Sequence, residues 1–101
     1  MTTFAIYQIQ DQDIRRNSWV TLKPTYELVL KHSSDYKLVA RIDSWNDSLE
    51  NVFLISNSGE HESLIERIED MHSLSVGDVV KNTETGEAFF VDMVGFKPCS
   101  I

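Results

Sequence analysis

The sequence contains a single cysteine, Cys99, among its 101 residues. One thiol cannot build a disulfide framework within the chain, and it cannot supply the several cysteines of a structural zinc cluster. We therefore expect a reduced intracellular setting, with Cys99 as a structural thiol. The sequence also lacks a run near the roughly 20 apolar residues of a membrane span, and its first residues show no secretory leader. These absences predict a cytoplasmic, unexported protein.

Positive charge is also scarce. Nine lysines and arginines stand against sixteen aspartates and glutamates, which gives a formal net charge of −7. This sign repels phosphate backbones and cannot supply the counterion release that drives nucleic-acid binding, so direct binding to DNA or RNA is disfavoured. Two interpretations stay open. The charge keeps a small domain soluble, or it forms an acidic face that meets a basic partner and imitates DNA.

Metal and cofactor motifs are absent from the sequence. The three histidines, His32, His61 and His72, include no pair at the spacing of zinc ligands on one helix face. Gly77 is isolated, and no lysine follows it at the spacing of a phosphate-binding loop. We predict neither a metal nor a cofactor.

The composition itself is that of a globular protein. Hydrophobic residues make up 42% of the chain and charged residues 25%, values typical of folded domains. The chain has the size of one domain and shows no repeat, low-complexity tract or linker. We expect one α+β domain over residues 1–101.

Two segments have the patterns of strands. Residues 4–9 are apolar on both alternating faces, which is typical of a central strand. Residues 36–43 alternate, with Tyr36, Leu38, Ala40 and Ile42 on the side predicted to be buried, and we expect them beside the first strand. Residues 24–35, which begin at Pro24, fit a short helix and a strand equally well.

Two helices are predicted in the middle of the chain. Asp47 and Glu50 have the spacing of a capping box, and Gly59 stands where a helix would stop. The apolar face of this helix is predicted to comprise Leu49, Val52, Phe53 and Ser56. A second short helix is suggested within residues 62–71 by Leu64, Ile65 and Ile68.

The last quarter predicts a hairpin. Residues 75–82 and 87–94 are prone to form strands, and Gly86 between them can take the positive φ of a tight turn. The whole pattern predicts an α+β fold, with a small, mainly antiparallel sheet, one or two short helices and a C-terminal β-hairpin.

Exposed acids and tryptophans are the candidate partner-binding residues. An exposed Trp19 or Trp45 would be an anchor for a partner, since aromatic side chains dominate interface energetics. Acids before the hairpin would make a negative patch if they share a face; they are Glu60, Glu62, Glu66, Glu69 and Asp70.

The loop before the hairpin has two interpretations. Ser73, Ser75 and Asp78 can bond nearby backbone N–H groups and fix the start of the hairpin. Alternatively they are the site of a small enzyme or ligand-binding domain. The strand, elbow and helix that would expose a nucleophilic serine are missing, so the structural interpretation is favoured.

The C-terminal quarter, HSLSVGDVV followed by GEAFFVDMVGF, resembles small proteins of phages and other mobile elements, including the YodL-like group. In these proteins an S-x-S-V-x-D-V-V segment precedes a hairpin that ends in a Gly-aromatic pair. The matching positions are Ser73, Ser75, Val76, Asp78, Val79, Val80, Val91, Asp92, Gly95 and Phe96. The segment YKLVARIDSWNDSLENVFLISNS is similar to the strand and helix that precede this motif.

The resemblance implies a phage or mobile-element origin and a small α+β domain, and it implies no particular activity. We therefore expect a non-enzymatic protein that binds and modulates a host or phage protein in the host cytoplasm. A homodimer is an open option, because an exposed sheet edge can be covered by pairing. Lys37 and Arg41 would protect one such edge, whereas the strand before Phe96 carries little protection beyond Asp92.

Overall fold

The computed structural model describes residues 1–11, 32–92 and 95–100. These residues form one six-stranded sheet, in which every neighbouring pair is antiparallel. The strands are β1 (Thr2–Ile9), β2 (Tyr36–Ser44), β3 (Ile65–Arg67), β4 (Val79–Asn82), β5 (Ala88–Asp92) and β6 (Gly95–Cys99). The same residues contain one α-helix, α1 (Leu49–Ser58), and 3-10 turns at Ser33–Asp35 and Glu62–Leu64.

The sheet order is β3-β2-β1-β4-β5-β6. The mainly antiparallel sheet and the C-terminal hairpin are therefore confirmed, with Gly86 at φ +80° in the turn between β4 and β5. The described chain is mostly β with one helix, so it is less helical than the predicted α+β fold. Both strands considered as edges, β2 and β5, have a neighbour on each side.

β1 is a central strand, as its two apolar faces predict. It pairs with β2 on one side and β4 on the other. Phe4 and Ile6 are fully buried in a cluster that includes the α1 residues Val52 and Ile55. Ile9 belongs to a second cluster, which lies on the opposite face because side chains alternate along a strand. Burial of each large apolar side chain contributes about 1.5–3 kcal/mol.

β2 buries more than its alternating pattern predicts. Val39 was assigned to the outward face, yet it is fully buried. The register shows why: Ile6 lies opposite Ala40 and Tyr7 lies opposite Leu38, so Val39 is the extra residue of a β-bulge. A bulge turns two successive side chains toward the same side of the sheet, and alternation alone does not reveal it.

α1 begins and packs differently from the sequence expectation. The N-cap is Ser48 and its side chain makes no capping bond, so the predicted Asp47–Glu50 capping box is wrong. The Ser48 N–H instead bonds to Asn46 Oδ1 at 2.9 Å. The left-handed Gly59, at φ +74°, ends the helix as predicted.

The buried side of α1 is rotated from the predicted one. Val52 and Ile55 are fully buried, whereas Phe53 remains 37% exposed. Val52 and Ile55 lie three positions apart, so they share one face of the helix, and both belong to the main core cluster. The rotation leaves the Phe53 ring at the surface.

The second predicted helix is wrong. Its residues form the 3-10 turn Glu62–Leu64 and the strand β3, in which Ile65 lies opposite Ile42 and Arg67 lies opposite Ala40. Short isolated helices are marginal in water. Backbone pairing with β2 therefore prevails over the weak helical periodicity.

Some sequence expectations fall outside the described residues. These concern Trp19 and residues 24–31. In the described remainder of the segment 24–35, Ser33–Asp35 forms a 3-10 turn. No helix in the described ranges is long and apolar enough to cross a membrane.

Candidate functional site

The connection from β3 to β4 crosses one face of the sheet. β3 lies beyond β2, and β4 lies on the far side of β1, so residues 68–78 must pass over two strands. Leu74 is buried in the main core cluster at the middle of this connection. Its backbone is held by Asn57 at the end of α1: the Leu74 N–H donates to Asn57 Oδ1 at 2.9 Å, and Asn57 Nδ2 donates to the Leu74 carbonyl at 3.0 Å.

A buried amide on β1 fixes the crossing segment. Gln8 is fully buried, and its Nε2 donates to the His72 carbonyl and to Asp78 Oδ2, both at 3.0 Å. Gln8 Oε1 accepts the His72 backbone N–H at 3.3 Å. Because a buried polar group without a partner is costly, these bonds tie the connection to the central strand. Nothing in the residue pattern of β1 predicts this role beyond one amide within an apolar run.

Asp78 fixes the start of β4 rather than facing solvent. Its carboxylate is 1% exposed and its Oδ2 accepts the Ser75 N–H at 2.9 Å. The predicted bond from Asp78 to a nearby backbone N–H is therefore confirmed. Ser75 Oγ lies 3.5 Å from the same oxygen, and the Ser73 side chain is exposed. His72 Nε2 lies 3.9 Å from Asp78 Oδ1, and the Tyr36 hydroxyl donates to the Gly77 carbonyl.

A groove lies between α1 and the C-terminal hairpin, on the helix side of the sheet. It has a volume of about 470 Å³, within the usual range of ligand-binding clefts. The crossing segment contributes Leu74, Ser75 and Val76 to its lining. The lining residues are Glu50, Phe53, Leu74, Ser75, Val76, Val91, Asp92, Gly95 and Phe96. The described lining residues are thus mainly apolar and include two acidic residues, Glu50 and Asp92.

Of the residues that line the groove, only Ser75 was predicted from sequence as a candidate site residue. Phe53 was assigned to the buried helix face, and Leu74 and Val76 lie in a loop whose path depends on the strand order. The available signal was the aromatic residue of α1 next to the acidic Glu50. The groove forms because α1 covers the β2 side of the sheet and leaves β5 and β6 open to it.

The predicted acidic patch is interrupted by arginines. The acids Glu60, Glu62, Glu66, Glu69 and Asp70 are all exposed. Arg67 pairs with Glu62 at 2.8 Å, and Arg41 pairs with Glu66 at 2.9 Å. Exposed ion pairs add about 0–1 kcal/mol of stability. Their main consequence here is to offset two of the five negative charges locally.

Trp45 is half-exposed at the end of β2. Its exposed fraction is 52%, and its ring meets His61 edge to face with ring centroids 5.0 Å apart. This contact orients the indole without burying it.

The remaining candidate groups are the metal-ligating side chains and Cys99. No three of the described His, Cys, Asp and Glu side chains are placed to hold a metal ion. Cys99 lies on β6, and partial burial raises the pKa of its thiol. A raised pKa lowers the thiolate fraction and hence the reactivity of this cysteine.

Comparisons with known proteins bear on the whole chain. A family model described as the YodL-like domain matches residues 3–101. This match confirms the predicted resemblance to the YodL-like group. Neither a curated protein nor a solved structure matches the chain.

Proposed function

The chain belongs to the YodL-like family, and we propose that it is a small non-enzymatic protein that binds and modulates another protein through the groove between α1 and β6. The groove itself carries this proposal. It joins an exposed aromatic ring, Phe53, to a mainly apolar lining, a composition that is common in protein-binding surfaces.

We further propose that the partner surface is basic. Glu50 and Asp92 line the groove, and the whole chain has a formal charge of −7. Complementary charge raises association rates and is screened by salt. A partner whose basic surface normally holds DNA would make this protein a DNA mimic.

The resemblance to phage and mobile-element proteins supports a phage or prophage origin, and the partner would then be a host or phage protein in the host cytoplasm. The alternative, an enzyme or ligand site at the Ser73, Ser75 and Asp78 loop, is less favoured. The Asp78 carboxylate is 1% exposed, and a substrate cannot reach it without displacing the bonds to Gln8 and Ser75.

A photocrosslinking experiment tests the groove as the binding surface. A benzophenone amino acid is placed at Phe53, and in a second variant at Leu54. Leu54 is the matched control, because it lies on the same helix, is 54% exposed and does not line the groove. We expect a specific host or phage protein to crosslink at position 53, much less at 54, and less in high salt.

The charge of the groove is tested in the same experiment. Glu50→Lys should weaken the position-53 crosslink, whereas Glu84→Lys, an equal change on the exposed β4–β5 turn, should not. A partner that crosslinks equally at 53 and 54, or the absence of any specific partner at several salt concentrations, would contradict the proposed function.

A further inference from the structure

Asn57 joins α1 to the crossing segment, residues 68–78, through two hydrogen bonds. Its Oδ1 accepts the Leu74 N–H at 2.9 Å, and its Nδ2 donates to the Leu74 carbonyl at 3.0 Å. The side-chain amide thus pairs with both backbone groups of one residue, which fixes the distance and the orientation of that residue relative to the helix. Ser56 Oγ also accepts the Leu74 N–H, at 3.2 Å. Leu74 is therefore attached to the C-terminal end of α1.

This attachment connects two sets of groove-lining residues. α1 contributes Glu50 and Phe53, and the crossing segment contributes residues 74–76. Glu50, Phe53 and Asn57 lie at i, i+3 and i+7, so they share one face of the helix. Leu74 is the first of the three lining residues on the other side. The position of one set relative to the other is thus set where Asn57 bonds to Leu74.

The Asn57 amide contributes direction rather than burial. Asn57 is exposed, whereas Leu74 is 1% exposed and belongs to the main core cluster with Val52 and Ile55. Packing of the Leu74 side chain keeps the crossing segment on the core without the amide. Apolar packing is non-directional, whereas a hydrogen bond requires a defined distance and angle. Loss of the amide should therefore alter the groove while the chain stays folded.

We propose that Asn57 is a positioning residue for the groove, because its amide holds residues 74–76 at the distance from Phe53 that admits a side chain of the partner. Asn57 is not among the residues that line the groove, so its effect on binding passes through Leu74. This inference rests on the proposed function and deepens it, since it identifies what sets the shape of the binding surface.

Three substitutions test the role of the amide. Asn57→Ala removes both bonds to Leu74. Asn51→Ala is the matched control: it makes the same change on the same helix, but the Asn51 amide donates to Ser44 Oγ at 2.8 Å, at the end of β2. Asn57→Asp retains an acceptor for the Leu74 N–H, but an ionised carboxylate cannot donate to the Leu74 carbonyl. The protonated carboxyl has an O–H and can form that bond again.

Nuclear magnetic resonance of the Val76 methyl groups reports on the groove in the full chain without a partner. The methyl groups of Val79, in the second core cluster, are the internal reference. We expect Asn57→Ala to shift the Val76 methyl resonances and to leave those of Val79 in place, and we expect Asn51→Ala to shift neither.

The pH profile of Asn57→Asp separates position from stability. At neutral pH its Val76 methyl resonances should resemble those of Asn57→Ala. They should move toward the natural positions as the pH falls toward the ordinary aspartate value of about 3.9, with the natural protein measured at each pH as the baseline. A general loss of stability would change the fraction of folded chain and would not give this recovery.

Binding is measured by the crosslink from a benzophenone amino acid at position 53. We expect Asn57→Ala to lower the yield of the specific crosslink about fivefold, the effect of losing one ordinary hydrogen bond, and Asn51→Ala to leave it unchanged. An undiminished crosslink in the folded Asn57→Ala protein would overturn the role of Asn57 in binding.

The positioning role and the proposed function fail separately. Unchanged Val76 resonances in Asn57→Ala, an equal shift in Asn51→Ala, or no recovery of Asn57→Asp in acid would overturn the positioning role, whether or not a partner is captured. If Asn57→Ala does not fold, the pH profile of Asn57→Asp decides the question alone. The crosslinking contrast between positions 53 and 54 in the otherwise natural chain decides the proposed function by itself.

Discussion

Replacement of Asp78 by alanine should destabilise the fold strongly. Asp78 Oδ2 accepts the Ser75 N–H at 2.9 Å and the Gln8 amide at 3.0 Å, in a site where the carboxylate is 1% exposed. Hydrogen bonds to a charged group contribute about 1.5–3 kcal/mol each, and removal of the acceptor leaves buried donors without it. Relief of the carboxylate's own desolvation offsets part of this loss.

We therefore expect Asp78→Ala to lower the free energy of unfolding by about 2–4 kcal/mol, a large share of the roughly 5–15 kcal/mol of a small domain. Asp78→Asn keeps one oxygen acceptor and should cost about half as much. Ser73→Ala is the control, since the Ser73 side chain is exposed, and it should stay within about 0.5 kcal/mol of the natural protein.

Urea denaturation followed by circular dichroism measures these differences, provided that the slope with denaturant is unchanged. An Asp78→Ala protein as stable as the natural one would refute the structural role of the carboxylate. If that protein also lost its partner, the loop would become a binding site rather than a structural element.

Three further expectations concern the core, the thiol and the edge. Ile55 is fully buried, so Ile55→Ala should lower the free energy of unfolding by about 2–4 kcal/mol in denaturant titrations. Leu54→Ala, on the exposed side, should change it by less than about 0.5 kcal/mol. Equal effects of the two substitutions would contradict the observed rotation of the helix. The raised pKa of Cys99 should slow its alkylation at pH 8 relative to the urea-unfolded chain, and equal rates would argue against its burial. Pro98 lies on β6, which ends the sheet order among the described residues. Pro98→Thr supplies the backbone N–H that proline lacks, and it should increase concentration-dependent self-association in light scattering. An unchanged mass at all concentrations would show that Pro98 does not protect this edge strand.

The sequence was sufficient to identify elements whose pattern reflects a local cause. The doubly apolar run of β1 predicts its central position, and Gly59 and Gly86 supply the left-handed conformations that end a helix and turn a hairpin. These features depend on side-chain period or on backbone conformation, both of which can be read from a few neighbouring residues.

The features that the sequence did not predict depend on contacts between segments that are distant in the chain. β3 forms because β2 offers backbone partners, and Val39 is buried because β1 and β2 pair with a bulge. The groove requires the strand order that carries residues 68–78 across the sheet, and the role of Gln8 follows from the same crossing. None of these pairings is encoded in the local pattern of either segment, so single-sequence reasoning could not have located the groove.

Hydrogen exchange of the full chain, with and without the protein captured by crosslinking, tests the binding surface most directly. The account predicts that the partner protects groove residues, namely Glu50, Phe53 and the residues in 74–76 and 95–96. Protection confined to residues 60–70 would place binding on the interrupted acidic patch instead. Such a result, with the groove exchanging as in the isolated chain, would contradict the account.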